Sequence, residues 1–355
     1  MNNSKNVLNY MFGKGAIDNL KDLLEKRDGY KVFFIDKYFK NRDILNRLYI
    51  QDSDEVIFID TTNEPSTSDI NSHRDFLVNI GKNNPSAIIG MGGGATLDSA
   101  KAVANLLTNR GKAEDYQGWD LVKNPAIYKI GIPTISGTGA EASRTCVMTN
   151  SKSGLKLGMN SDFTIYDQLI LDPNLTKTVP REQYFYTGMD TYIHCIESLN
   201  GRYRNAIGDA FSNQAIELCR EVFFSEDMMS DENREKLMVA SYLGGCAIAN
   251  SYVGVIHPFS AGLSVVLGTH HCIGNCITMN AMEEFYPKEY EEFFKMAEKQ
   301  NIKIPKGIAK DLDSKTYKRL YDATIIHEKP LLNALGNNFR DILTLEKVTE
   351  IFKRM

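Results

Sequence analysis

Residues 86–109 read SAIIGMGGGATLDSAKAVANLLTN, and this stretch decides the fold class of the chain. It begins with a short apolar run that is typical of a buried β-strand. Three successive glycines interrupt the run, and the apolar side chains that follow them recur at helical spacing. The stretch therefore predicts a strand, a tight turn and a helix, which is the repeating unit of a parallel sheet.

The same alternation of short apolar runs and helical patterns surrounds this unit. The runs that predict further strands lie at 31–36, 55–60 and 129–136, and the helical patterns lie at 16–27, 68–83 and 95–109. Buried strands separated by helices predict a parallel sheet that is covered by helices on both faces. Such a sheet binds its ligands beyond the carboxyl ends of the strands.

After about residue 178 the pattern changes to long helices. They are predicted at 180–200, 206–224, 232–252 and 270–286. Pro180 suits a helix start, and Gly201 follows the end of the same helix. The sequence thus predicts an α/β domain at 1–178 and an all-helical domain at 179–355, with the active site between them.

Composition argues against several classes of protein. The net charge of -4 is unlike that of a nucleic-acid-binding protein, and no apolar run approaches the roughly 20 residues that span a bilayer. Residues 1–15 lack the apolar stretch of a secretion signal. The six cysteines are scattered and predict reduced thiols, although Cys272 and Cys276 could form half of a metal site. We therefore expect a cytoplasmic protein with neither nucleic acid nor membrane as a partner.

The glycine turn has the features of an anion site. Gly92, Gly93 and Gly94 carry no side chains, so their N–H groups can approach an anion, which the helix dipole also favours. A dinucleotide pyrophosphate fits this turn, but a tight turn without a ligand has the same signature, and neither GxGxxG nor a P-loop is present. Asp36 ends the first strand, where an acid binds a ribose 2′-hydroxyl and favours NAD over NADP. The same acid could instead cap the next helix.

A second set of polar residues lies in the helical half. Asp190 and His194 are four residues apart on a predicted helix and share one face. His257 and His271 would lie about 21 Å apart on one straight helix, whereas ligands of one ion lie within about 4 Å of each other. The chain must therefore fold back between them, and Gly268 supplies a break. One carboxylate and three imidazoles suit Fe²⁺ or Zn²⁺; core histidines with Asp190 as a partner are the structural alternative.

These motifs together resemble the iron-containing (group III, metal-dependent) alcohol dehydrogenases, relatives of glycerol dehydrogenase and dehydroquinate synthase. GGGATLDSAK resembles the family's pyrophosphate motif, PTISGTGAE its second cofactor loop, and LDPNLT its domain crossover. GMDTYIHCIES and HPFSAGLSVVLGTHHCIGN resemble its two ligand-bearing segments. The resemblance runs from residue 12 to at least residue 287. It implies a Rossmann-like parallel-sheet α/β domain that binds the dinucleotide, followed by an all-α domain that binds metal and substrate.

The resemblance also implies a set of site residues. The implied metal ligands are Asp190, His194, His257 and His271. The implied cofactor contacts are Asp36, Gly92, Gly93, Gly94, Asp98, Lys101, Thr134, Thr138 and Lys156. Ala261 stands where many family members carry a further histidine, so His270 is a candidate for proton relay, or else a surface histidine. We expect NAD, one Fe²⁺ or Zn²⁺ and a homodimer.

Within the family, the compact length and HPFSAGLSVVLGTHH look most similar to 3-deoxy-D-manno-octulosonate 8-oxidases. This similarity implies oxidation of the C8 hydroxyl of that sugar acid to an aldehyde in lipopolysaccharide biosynthesis. Its anionic substrate would need a cation, for which Arg144, Arg202 and Arg204 are candidates, although GRYRN is also typical of a solvated loop. The alternatives are a glycerol, diol or simple alcohol dehydrogenase, a dehydroquinate-synthase-like lyase, and a nucleotide sensor with a structural metal.

Overall fold

The computed structural model describes residues 5–355 of the chain. The chain divides into two compact units, with the boundary between Thr178 and Val179. This boundary falls where the sequence pattern changes from alternating strands and helices to long helices.

The first unit is built on a six-stranded parallel sheet and a three-stranded sheet. The strands are β1 (Asn9–Phe12), β2 (Lys31–Asp36), β3 (Glu55–Ile59), β4 (Ala87–Gly92), β5 (Gly118–Trp119), β6 (Lys129–Pro133), β7 (Thr145–Thr149), β8 (Lys156–Asn160) and β9 (Gln168–Leu171). The strand order is β1-β9-β6-β4-β2-β3 in the larger sheet and β5-β8-β7 in the smaller one. The helices of this unit are α1 (Leu20–Glu25), α2 (Thr67–Asn79) and α3 (Gly94–Leu106). The predicted parallel α/β fold is confirmed.

Strand β4 places the glycine turn directly against helix α3. The strand pairs with β2 on one side and β6 on the other, and it is buried along its whole length. A Cβ atom at Gly90 would lie 2.6 Å from the Tyr166 hydroxyl and 3.0 Å from the Ala100 Cβ. The Tyr166 hydroxyl donates a hydrogen bond of 2.8 Å to the carbonyl of Leu97 in α3. The missing side chain at Gly90 therefore allows α3 to pack closely on the sheet.

The second unit is helical. Its helices are α4 (Arg181–Leu199), α5 (Ala206–Phe223), α6 (Asp231–Ser251), α7 (Ile256–Leu267), α8 (His271–Met279), α9 (Pro287–Lys299), α10 (Ser314–Ile325), α11 (Glu328–Leu335), α12 (Phe339–Ile342) and α13 (Leu345–Lys353). In residues 5–355 no single helix is long and apolar enough to cross a membrane, and α6 and α7 reach that length only together, across a bend of 104°.

Two predicted helices differ most from the observed ones. Residues 16–27 form a 3₁₀ turn at Ala16–Asn19 followed by the short α1. The helix predicted over 270–286 ends at Met279, where the Asn280 side chain donates 2.9 Å hydrogen bonds to the carbonyls of Ile277 and Pro305. An asparagine that bonds nearby carbonyls in this way competes with helix propagation, and this explains the early end.

Candidate metal centre and glycine turn

The glycine turn joins β4 to the N-terminus of α3. Gly93 is the N-cap residue in an extended conformation, and no described side chain caps this helix, in contrast to the Ser66–Asp69 capping box of α2. A Cβ atom at Gly92 would lie 2.7 Å from the Thr96 hydroxyl oxygen, so this position requires glycine. Bare N–H groups at the positive end of a 13-residue helix form the kind of turn that accepts a phosphate.

The second predicted cofactor loop lies against this turn. The Thr134 N–H donates a 3.0 Å hydrogen bond to the carbonyl of Gly92. A Cβ atom at Gly94 would lie 3.3 Å from the Thr138 methyl carbon, and the Thr138 hydroxyl accepts a 3.3 Å bond from the Ala140 N–H. The structure thus brings the glycines together with both predicted threonines. Their contact with a cofactor stays a prediction.

Lys101 and Asp98 hold this loop in place. The buried Lys101 ammonium donates to the carbonyl oxygens of Ala140 (2.8 Å) and Thr145 and lies 3.1 Å from an Asp98 carboxylate oxygen. The other Asp98 oxygen accepts a 2.9 Å bond from the Val147 N–H. Burial raises the pKa of Asp98, and the Lys101 charge opposes this rise. Because protein oxygens occupy the ammonium group, the contacts favour a positioning role for both residues over the predicted direct cofactor contact.

Asp36 and Lys156 also have protein partners. One Asp36 oxygen accepts a 2.9 Å bond from the Tyr38 N–H and so caps the 3₁₀ turn Lys37–Phe39, as the structural alternative predicted. Its other oxygen accepts a longer bond of 3.4 Å from the Thr61 hydroxyl. Lys156 lies 2.8 Å from a Glu64 carboxylate oxygen. Their cofactor roles remain predictions.

The four predicted metal ligands converge in the second unit. Ligand atoms of Asp190, His257 and His271 all lie within 4.8 Å of one another. The Nε2 atoms of His257 and His271 lie 3.4 Å and 3.7 Å from the Asp190 carboxylate. His194 Nε2 lies 3.6 Å from the same carboxylate, and its ring stacks on that of His257 with centroids 4.6 Å apart. The predicted fold-back is confirmed, since Gly268 ends α7 with φ 71°.

Charge and burial at this centre suit a divalent cation. Burial alone would raise the pKa of Asp190, but the neighbouring imidazoles of His194, His271 and His257 hold it well below its usual range. Burial lowers the pKa of His194 to about 4, which leaves its ring neutral. Asp190 is fully buried, whereas the His271 side chain is 30% exposed, so the centre opens to solvent on the His271 side. Carboxylate oxygen and imidazole nitrogen are donors that Fe²⁺ and Zn²⁺ both accept.

Glu197 was not predicted from the sequence, and it is a buried partner of the proposed ligand His257. Its carboxylate bonds His257 Nδ1 and also accepts the Ile256 N–H. Burial alone would lower the pKa of His257, but Glu197 and Asp190 raise it to about 9. A carboxylate on the second ring nitrogen fixes the tautomer and direction of a metal-binding histidine. The signal was present, because Asp190, His194 and Glu197 follow each other at helical spacing on α4.

Two residues of α8 hold the Asp190 carboxylate. Asn275 Nδ2 donates a 2.6 Å bond to one oxygen, and the Cys272 thiol lies 3.6 Å from the other. The Cys276 thiol instead lies 3.9 Å from the carbonyl of Tyr186. The two cysteines thus have different partners, which does not support the CxxxC half-site considered from the sequence.

Replacing Glu197 by glutamine is expected to raise the metal dissociation constant by about 10- to 100-fold. The amide keeps the size of the side chain but removes the charge that holds His257 Nδ1 protonated. Competition with a chromogenic chelator measures this constant. Glu217→Gln, at an exposed partner of Arg220 on α5, is the matched control. Equal metal affinity in both variants would contradict the role of Glu197.

Among the described residues, His270 and Arg202 form no hydrogen bond or ion pair with the four proposed metal ligands. His270 is exposed at the N-cap of α8. The exposed Arg202 guanidinium lies 3.4 Å from the carbonyl of Leu335. The positions favour the surface alternative for His270 and leave its relay role, like the substrate role of Arg202, a prediction.

The other two arginines proposed for substrate binding are already paired. Arg144 bridges Asp162, at 3.2 Å, and Asp120 within the first unit. Arg204 binds both carboxylate oxygens of Asp209, at 2.9 Å and 2.8 Å. Because their charges are balanced by carboxylates, the contacts favour structural roles over the predicted substrate contact.

Solved structures share this fold, and curated proteins are similar to the chain in sequence. A crystal structure of a 1,3-propanediol oxidoreductase superposes with a TM-score of 0.86 at 19% identity and covers 100% of this chain and 99% of that one. The sulfoacetaldehyde reductase of Bilophila wadsworthia is 31% identical over 73% of this chain and 68% of its own length. The NAD-dependent methanol dehydrogenase of Bacillus methanolicus is 27% identical over 76% of this chain and 72% of its own length.

Sequence models of one family match both units. The iron-containing alcohol dehydrogenase model matches residues 8–173, and the C-terminal model of the Fe-containing alcohol dehydrogenase family matches residues 184–327. Together the matches cover most of the chain, and the second includes Asp190, His194, His257 and His271. The chain therefore belongs to the iron-containing alcohol dehydrogenase family and is an oxidoreductase.

Proposed function

We propose that this enzyme transfers hydride between a small alcohol and NAD, with the help of a divalent metal held by Asp190, His194, His257 and His271. The observation that carries the proposal is the convergence of one carboxylate and three imidazoles, drawn from α4, α7 and α8. A structural metal site is normally closed, whereas here the His271 side is open to solvent. An open side is what a substrate oxygen would need.

Oxidation of an alcohol yields an aldehyde or ketone, transfers a hydride to the cofactor and releases a proton to solution. The bound metal would supply Lewis-acid polarisation of the alcohol oxygen, and NAD would supply the hydride acceptor. The residues of the chain position these groups. Glu197 orients His257, while Asn275 and Cys272 hold Asp190. The glycine turn receives the pyrophosphate, and Lys101 keeps the second loop against it.

We favour NAD over NADP because of Asp36. A carboxylate at the end of β2 can accept a ribose 2′-hydroxyl and repels a 2′-phosphate. The Asp36 oxygen that accepts the 3.4 Å bond from Thr61 is the more weakly held of the two. That oxygen is our proposed partner for the ribose.

We favour a small primary alcohol, or its aldehyde in the reverse direction, as the substrate. The relatives named for sulfoacetaldehyde and methanol support a small substrate. Oxidation of 3-deoxy-D-manno-octulosonate at C8 has less support, because these two relatives are named for much smaller molecules. The cytoplasmic location and the homodimer stay predictions.

Activity profiling of enzyme reconstituted with Fe²⁺ or Zn²⁺ tests this proposal. We expect reduction of NAD by methanol, 1,3-propanediol or another small alcohol, or oxidation of NADH by sulfoacetaldehyde, with weaker turnover of 3-deoxy-D-manno-octulosonate. Replacing NAD by NADP should lower kcat/KM by about tenfold or more, the effect of roughly 1.4 kcal/mol of repulsion. Full activity after removal of the metal would refute the proposal. A product formed without net change in the reduced-nicotinamide absorbance would point to a lyase.

A further inference from the structure

Asn333 of α11 joins two turns of the helical unit. Its Nδ2 donates to the carbonyl oxygens of Tyr252 and Val253, at 3.3 Å and 3.0 Å. Its Oδ1 accepts a 2.9 Å bond from the Tyr203 N–H, and its backbone carbonyl accepts a 2.8 Å bond from the Arg202 N–H. The side chain is fully buried, and both of its amide protons have acceptors.

The two turns that Asn333 joins border the helices of the metal centre. The first turn follows α4, which carries Asp190, His194 and Glu197. The second connects α6 to α7, whose second residue is His257. The Asn333 amide therefore links the end of one ligand-bearing helix to the start of another.

Two features show that the chain is built to receive this amide. A Cβ atom at Gly201 would lie 2.4 Å from Asn333 Nδ2, so only glycine permits the observed approach. Tyr252 has φ 74° and ψ 160°, a conformation that L-residues with a side chain rarely adopt. Because Asn333 holds the carbonyl of this same residue, the hydrogen bond stabilises the unfavourable backbone.

The segment from Tyr252 to His257 is short and held at both ends. Asn333 binds its first two carbonyls, and Glu197 binds the Ile256 N–H and the His257 ring. A Cβ atom at Gly254, between these ends, would lie 3.3 Å from a Glu197 carboxylate oxygen. A shift of the turn at Tyr252 would therefore reach His257 directly.

We propose that Asn333 is a positioning residue for the metal centre, because it fixes the backbone of Tyr252 and thereby the direction of His257. This inference rests on the proposed function, since it concerns the same metal centre. Asn333 lies beyond residue 327, where the match to the family's C-terminal model ends. In this proposal Asn333 links the C-terminal helices to the turns beside α4 and α7.

The variant Asn333→Asp tests this role. It keeps the shape and the acceptor for the Tyr203 N–H but loses both donors to Tyr252 and Val253. We expect the Zn²⁺ dissociation constant, measured by chelator competition, to rise by about 10- to 100-fold. We also expect faster amide hydrogen exchange over residues 252–257 in metal-free protein. Asn337→Asp adds the same charge at an exposed position and should behave like the wild type.

A second substitution separates positioning from general loss of structure. Glycine adopts a positive φ without strain. The double variant Asn333→Asp/Tyr252→Gly should therefore bind Zn²⁺ almost as tightly as the single variant Tyr252→Gly does. Wild-type affinity and exchange in Asn333→Asp, or a loss that Tyr252→Gly does not rescue, would overturn this inference alone. A wild-type chain that binds no Zn²⁺ would overturn the proposed metal centre and this inference with it.

Discussion

Asp190→Ala is expected to remove the bound metal and to lower kcat by roughly three to four orders of magnitude. The estimate follows from the several kcal/mol that a metal contributes as a Lewis acid, at 1.36 kcal/mol for each factor of ten. Asp190 is the only carboxylate among the four proposed ligands, and imidazole Nε2 atoms lie 3.4 to 3.7 Å from its oxygens. Elemental analysis of the purified variant gives the metal content, and steady-state kinetics give kcat.

The affinity for NAD should largely persist in Asp190→Ala, because the proposed cofactor residues belong to the first unit. His257→Ala should have the same effects on metal content and turnover. The matched control is His73→Ala on α2, which removes a histidine of the first unit that packs on Phe34. If Asp190→Ala kept both its metal and its turnover, the metal centre would have to be placed elsewhere.

Lys101→Met is expected to destabilise the protein by about 3–5 kcal/mol, the usual cost of removing one partner of a buried ion pair. Methionine fills the space of the lysine stem but leaves the Asp98 carboxylate and the carbonyl of Ala140 without their donor. The loss is a large part of the 5–15 kcal/mol that stabilises a typical domain. Urea unfolding followed by circular dichroism measures the change.

The destabilisation caused by Lys101→Met should depend on pH, in a direction that the pKa of Asp98 determines. Burial raises the pKa of Asp98, and removing Lys101 also removes the charge that opposes this rise. The folded variant therefore binds a proton that the unfolded chain releases more readily, so its stability falls as the pH rises towards neutrality. The destabilisation relative to the wild type should accordingly be smaller at acidic than at neutral pH.

Stability also separates the two roles considered for Lys101. If Lys101 is a positioning residue, Lys101→Met should lower both the free energy of unfolding and the affinity for NAD. If Lys101 contacts the cofactor directly, the same substitution should lower the affinity for NAD with little change in the free energy of unfolding. Lys37→Met, at an exposed ion pair with Asp60, is the control and should leave unfolding nearly unchanged.

The sequence pattern predicted strands β2, β3, β4 and β6, which are neighbours in the six-stranded sheet. The predicted strand at 31–36 coincides with β2, because a central parallel strand is apolar on both faces. Strands β1, β5, β7, β8 and β9 were not predicted. Strand β1 is largely exposed at an edge of the sheet and β5 has two residues, whereas β9 is buried but has only four residues, so burial alone did not reveal a strand.

Spacing indicated the proposed ligands Asp190 and His194, with Glu197 on the same helix, but it did not indicate the contacts that orient the ligands. Asp190 and His194 share a helix face, which spacing alone reveals. The bonds from Glu197 to His257 and from Asn275 to Asp190 connect different helices, so they depend on packing that periodicity does not encode. The same limit applies to Arg144, whose carboxylate partners lie 18 and 24 residues away along the chain.

Helix α8 carries the proposed ligand His271 and also Asn275 and Cys272, which contact Asp190 on α4. Because all three lie on one helix, the Gly268–His270 link that precedes it sets their directions together. Adding or removing a single residue in that link would turn the helix by about 100° and displace all three at once. If His271 binds a metal as proposed, the length of this short connection is fixed by the geometry of the metal site rather than by its own residues.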